Sequence, residues 1–126
     1  MDMRYDLAGE IIGLAMTVHS ALGPGFVESV YESALCVELT GAGIQHSRQS
    51  PLQVFYKRSV VGEFFCDICI GNLLIIELKA VQTLLPVHEV QLVNYLSATN
   101  IDEGLLLNFG AESLQFKKKF RRPAKR

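Results

Sequence analysis

The sequence predicts an α/β chain: a single mixed sheet flanked by helices, in the order α-α-β-β-β-α-β-β. Three observations carry this. Apolar residues recur at helical spacing through roughly the first forty positions. Runs rich in Val, Ile and Phe follow, punctuated by Gly and Pro. One further helix signal, opened by Pro86, interrupts the strand series. Helices placed at one end and in the middle of a strand run do not make a regular βαβ repeat, so a doubly wound fold is not expected.

Element by element, Leu7, Ile11, Leu14, Val18 and Ala21 or Leu22 place a first amphipathic helix over about Tyr5–Leu22, and Gly23-Pro24-Gly25 breaks it. A second helix spans about Val27–Thr40 and stops at Gly41-Ala42-Gly43. Residues 45–56 read as a strand in which Pro51 marks an edge or a bend. Residues 62–70 and 73–79 read as two more, separated by a turn at Gly71-Asn72. Pro86 suits the first position of a helix over about 87–98, and 104–109 and 114–120 read as the last two strands.

The 126 residues suit one domain, expected over residues 1–120 with a basic tail at 121–126. With 49% apolar and 20% charged residues the chain is not of disordered composition. Its longest apolar run, Leu73 to Ile76, is far too short to cross a bilayer. The opening MDMRYDLAGE lacks the apolar stretch of a signal peptide, and three cysteines cannot all pair internally. A reduced, cytoplasmic setting is therefore expected. The net charge of −1 hides a split. Lys117, Lys118, Lys119, Arg121, Arg122, Lys125 and Arg126 leave the first 116 residues with five basic and thirteen acidic side chains, a net of −8. Such a tail is either a solvated terminus or a weak contact for a polyanion such as nucleic acid. The mean hydropathy of +0.24 points to an apolar surface that could serve self-association as a homo-oligomer.

The informative polar residues lie in FFCDICIGNLLIIELKA, where Asp67 and Glu77 each interrupt a hydrophobic strand and Lys79 follows two residues on. Alternation puts Glu77 and Lys79 on one face with Ile75, and Leu74, Ile76 and Leu78 on the other. A Glu77–Lys79 or Asp67–Lys79 ion pair on a solvated face is the plain account. The alternative depends on register. A two-residue loop would pair Ile70 with Leu73 and send the carboxylates to opposite faces; a three-residue loop would pair Ile70 with Leu74 and set Asp67 opposite Glu77. Facing carboxylates repel, and a divalent cation relieves them; Mg²⁺ favours one or two carboxylates with water and phosphate completing its shell. Gln91 and Tyr95 share one helix face beside His88, and Glu28 precedes Tyr31 and Glu32 at helical spacing; either set is as easily an exposed helix surface. Cys66-x-x-Cys69 has odd spacing within a strand, which places the sulfurs on opposite faces and argues against a CxxC function. His19 and His46 lack ligand-spaced partners. There is no phosphate-binding loop and no serine nucleophile elbow.

Together, Gly25-x-x-Glu28-x-x-Tyr31, Gly62-Glu63…Asp67, Glu77-Leu78-Lys79 and Gln91-x-x-x-Tyr95 resemble the bacterial GxxExxY proteins of the PD-(D/E)XK nuclease superfamily. The last motif is similar to the QxxxY element of the RecB-like exonuclease branch. The resemblance runs from about Leu7 to Phe120 and implies a restriction-endonuclease-like fold. Cys66 stands where the superfamily motif has proline, and the basic tail lies outside the pattern. The resemblance further implies an Mg²⁺- or Mn²⁺-dependent nuclease acting on nucleic acid, DNA before RNA, and leaving a 5′-phosphate. Asp67, Glu77 and the Leu78 carbonyl would hold the metal, with Glu28 reaching it directly or through water. Lys79 would orient or deprotonate the attacking water, and Gln91 and Tyr95 would position water or phosphate. Lys117, Lys118, Lys119, Arg121 and Arg122 would add weak backbone contacts. The competing expectation is a binding module that keeps the nuclease fold without turnover.

Overall fold

The computed structural model describes residues 6–122; Tyr5, Lys125 and Arg126 lie outside the described residues. Two helices open the chain, α1 (Leu7–Leu22) and α2 (Glu28–Gly41). Then come β1 (Ser47–Tyr56), β2 (Ser59–Ile70), β3 (Leu74–Lys79), α3 (Pro86–Thr99), β4 (Glu103–Asn108) and β5 (Gln115–Phe120). The order is the one the hydrophobic pattern predicts. The five strands form one sheet in sequence order, antiparallel except for the parallel pair β3–β4, which α3 connects.

The sheet has a core on each side. Leu74, Ile76 and Leu78 of β3 and Leu105 and Leu107 of β4 pack with Ile11, Ala15, Tyr31, Leu35 and Leu39 of α1 and α2. The alternate residues Ile75 and Leu106 pack with Leu92 and Leu96 of α3. Covering both faces explains why these central strands read as continuous apolar runs. The Asp6 side chain caps α1 by accepting from the Gly9 N–H at 2.9 Å, and Pro86 opens α3 at its first turn.

Between α1 and α2 the chain reverses through Gly25 at φ +114°, a backbone open to glycine and strained for other residues. Tyr31, fully buried and stacked on Phe109 at 4.8 Å, clamps this turn. Its hydroxyl donates to the Gly23 carbonyl at 2.6 Å and accepts from the Phe26 N–H at 3.1 Å. The Gly25 and Tyr31 of the motif thus build the scaffold that sets Glu28 in the first turn of α2.

β2 is longer than the apolar pattern implies, while β1 is two residues shorter, starting at Ser47. The two strands meet at a two-residue turn at Lys57 and Arg58, both left-handed at φ +48° and +69°. Such turns normally carry Asn or Gly, so residues 57–61 gave no hairpin signal. Edge strand β1 carries Pro51, as expected. At the other edge, the basic run does not hang free as far as it is described. Lys117–Lys119 lie within β5, Lys119 pairs with Glu89 at 3.1 Å, and Arg121 pairs with Asp102 at 2.8 Å.

Candidate active site

The loop Gly71–Leu73 decides the register. Ile70 pairs with Leu74, Cys69 with Ile75 and Ile68 with Ile76, with Gly71 left-handed at φ +50° and the Leu73 N–H donating to the Ile70 carbonyl at 2.9 Å. This is the three-residue alternative, and it sets Asp67 opposite Glu77. There the regular ladder ends and side chains replace backbone partners. Asp67 Oδ2 accepts from the Leu78 N–H at 2.8 Å, and Glu77 Oε1 accepts from the Asp67 N–H at 3.3 Å. The site therefore sits at the fork where β2 parts from β3, within reach of both helical layers.

Both carboxylates resist ionisation. Burial, and then the charge of Asp67, push the Glu77 pKa up to about 8. Asp67 is also raised, first by burial, against the Leu78 N–H that favours its charged form. The two carboxylates face each other closely enough to titrate as a pair, the charge on one favouring a proton on the other. Lys79 does not neutralise them by contact. Among the described residues the ion pairs are Arg48–Glu32, Lys118–Asp6, Lys119–Glu89 and Arg121–Asp102, so the plain Lys79 ion pair is absent there.

From the first helical layer, Glu28 joins the cluster. Partial burial raises its pKa, the Lys79 charge lowers it, and Asp67 and Glu32 raise it again. From the other layer comes Tyr95, whose ring stacks on Phe64 of β2 at 3.8 Å. Burial, then Glu77, raise its pKa, while Gln91 one turn earlier lies against its hydroxyl and lowers it. His88 caps α3 by accepting the Leu85 N–H at 3.0 Å and also lies in the field of Glu28. Thus Glu28, Asp67, Glu77, Lys79, Gln91 and Tyr95 come together from α2, β2, β3 and α3. The basic residues of β5 do not: their strand is at the far edge of the sheet.

Two residues beside this cluster carry more than their sequence context suggested. Glu32 is buried, not on an exposed helix surface. Its Oε2 accepts from Arg48 Nη2 at 2.8 Å and Nε at 3.1 Å, and its Oε1 accepts from Gln49 Nε2 at 2.8 Å. Gln49 Nε2 also reaches Asp67 Oδ1 at 3.4 Å. Its presence inside a strand-like run gave no signal for either contact. The cysteines also differ from expectation. Cys66 and Cys69 lie in the same α3-facing core, because strand alternation breaks beside Asp67. Both are buried and free.

A family model of the PD-(D/E)XK nuclease superfamily matches residues 5–122. The chain belongs to the PD-(D/E)XK nuclease superfamily. Among curated proteins none matches its sequence significantly. The fold is similar to that in the crystal structure of SSO0001, with a TM-score of 0.61 at 17% identity. That similarity covers 77% of this chain and 52% of the other, so the chain spans about half the length of that protein. No helix among the described residues is long and apolar enough to cross a membrane.

The donor set of this PD-(D/E)XK fork suits a hard divalent ion. Asp67 and Glu77 supply two carboxylates. The Leu78 carbonyl points to the same side of β3 as its N–H, toward Asp67, as in any strand. No group of three or more carboxylate, thiol or imidazole side chains is arranged to hold an ion among the described residues. Two carboxylates with a carbonyl make an open site for a divalent cation, not a closed structural one.

Proposed function

We propose that this protein is an Mg²⁺- or Mn²⁺-dependent nuclease of the GxxExxY type, hydrolysing phosphodiester bonds in DNA. The observation that carries the reading is the meeting of Asp67 and Glu77 at the β2–β3 fork, beside a Lys79 that forms no ion pair among the described residues, in a chain of a nuclease superfamily. A divalent ion bound there supplies Lewis-acid polarisation of a phosphate oxygen and a lowered pKa for the attacking water.

The chain's own residues do the rest. Asp67, Glu77 and the Leu78 carbonyl hold the ion, and Glu28 extends the acidic wall on the α2 side. Lys79 orients the water or stabilises charge on the phosphorus. The Gln91 amide and Tyr95 hydroxyl position water or phosphate from α3, with the Phe64 stack holding the tyrosine ring in place. Lys117, the other β5 cations and Arg122 offer only secondary, salt-sensitive contacts, since Lys119 and Arg121 already pair with acids and Arg122 Nη2 donates to Asn94 Oδ1 at 2.6 Å.

The test is an assay on linear and circular, single- and double-stranded DNA and RNA with Mg²⁺ or Mn²⁺. Wild type is expected to leave 5′-phosphate ends, and Glu77→Ala to lose activity by at least ~100-fold. Metal-independent cleavage, or equal rates in the two proteins, would overturn the assignment. Binding without cleavage of any substrate would identify a module that has kept the fold and lost turnover.

A further inference from the structure

Gln49 stands at a gap in the β1–β2 pairing, separate from the register shift at Val54/Phe55. Arg48 pairs with Ile68 and Ser50 with Cys66, while Gln49, between them and across from Asp67, is left out of the register. Its φ is +48°, a left-handed backbone in the interior of a strand. Glycine takes that conformation without strain and Asn or Asp tolerate it; glutamine carries the steric cost of its Cβ. Such an outlier persists where surrounding contacts over-determine it.

Those contacts are made by the side chain. Gln49 Nε2 donates to Glu32 Oε1 at 2.8 Å and to Asp67 Oδ1 at 3.4 Å. Both neighbours are carboxylates, so the amide presents its NH₂ and not its oxygen to them. Asp67 is thereby held from two sides, with the Leu78 N–H on Oδ2 and Gln49 on Oδ1. Glu32 is in turn held by the paired donors of Arg48 at 2.8 and 3.1 Å, an arrangement that limits rotation of the carboxylate. The chain Arg48–Glu32–Gln49–Asp67 links the buried face of α2 to the carboxylate at the fork.

We infer that Gln49 is a positioning residue, held in a left-handed kink of β1 so that its amide anchors Asp67 to the Arg48–Glu32 pair and orients it for metal binding. This rests on the nuclease reading for the purpose of the anchor, but the anchor itself is measurable without metal. Outer-shell partners of this kind typically change metal affinity by about 10- to 100-fold when removed.

The deciding variant is Gln49→Gly, which removes the amide while suiting the backbone. Calorimetric titration with Mn²⁺ and melting in EDTA are compared with wild type. The expected result is a melting temperature within a few degrees of wild type, because relief of the backbone strain offsets part of the lost amide contacts, together with Mn²⁺ affinity reduced by roughly tenfold or more. Gln49→Glu, which sets a third carboxylate between Glu32 and Asp67, is expected to lose affinity and stability together. Unchanged Mn²⁺ affinity in Gln49→Gly would overturn the inference. If wild type itself binds no Mn²⁺, the functional reading fails, and a double-mutant cycle decides the anchor. Melting shifts of Gln49→Gly and Asp67→Asn in metal-free protein should then depart from additivity by several degrees; additive shifts refute the anchor.

Discussion

Two buried polar groups occupy adjacent parallel strands and are treated in opposite ways. Asn108 ends β4 and is fully buried. Its amide donates to the Val81 carbonyl and to Gln115 Oε1, each at 2.8 Å, and its oxygen accepts from Val81 N–H at 2.9 Å and Gly110 N–H at 3.1 Å. Every hydrogen-bonding capacity is used and no charge is buried. Glu77, in β3, is almost as buried at 8% exposure, yet it faces a second carboxylate and its cation neighbour does not touch it. A satisfied neutral amide is a structural tie: Asn108 knots the loop after Lys79 to the end of the sheet and so sets the path into α3. A charge-frustrated carboxylate is held there at the expense of stability, and that expense is what a bound cation relieves.

The largest effect should come from untying the knot. Asn108→Leu leaves the Val81 N–H and carbonyl, the Gly110 N–H and Gln115 Oε1 without this partner in a partly buried site. The expected loss is about 4 kcal/mol, or roughly 15 °C in Tm, measured by thermal melting. A loss of only a degree or two would show that water replaces the amide and that the contrast with the fork is overdrawn.

A smaller effect, of opposite character, is expected at the fork. The Glu77 pKa is raised in the folded protein to about 8 from an ordinary value near 4.5, so the native state holds a proton that the unfolded chain releases. The resulting stability is fully present below about pH 4.5 and is lost as pH rises through about 8. Raised values at Asp67 and Glu28 act in the same direction. Melting in EDTA should therefore show Tm falling by several degrees between pH 5 and about 8, and Glu77→Gln should flatten most of the slope. An unchanged slope in that variant would place the frustration elsewhere.

The smallest structural effect is expected at the edge of the site. Tyr95→Phe keeps the ring stacked on Phe64 and removes only the hydroxyl that lies against Gln91. Its Tm should stay within about 2 °C of wild type, while cleavage falls about tenfold. Equal activity would confine Tyr95 to packing, on the side of Asn108 and not of Glu77.

The sequence alone determined the element order, because hydrophobic period is a local property and the central strands, buried on both faces, are apolar throughout. It also marked Asp67, Glu77 and Lys79, since charge inside such strands is costly and therefore conspicuous. It left the register of β2 on β3 open between two loops, and alternation could not choose between them. Only the fold did so, through Gly71 in a left-handed turn that seats Leu74 opposite Ile70. Alternation also misassigned Cys66 and Cys69, because it assumes an unbroken strand and β2 breaks beside Asp67. The anchoring of Asp67 was out of reach for a different reason. Arg48 and Gln49 lie sixteen and seventeen positions beyond Glu32, and the bonds joining them exist because the fold brings the start of β1 within side-chain reach of α2. No local period encodes such a contact; it is decided by how the layers meet.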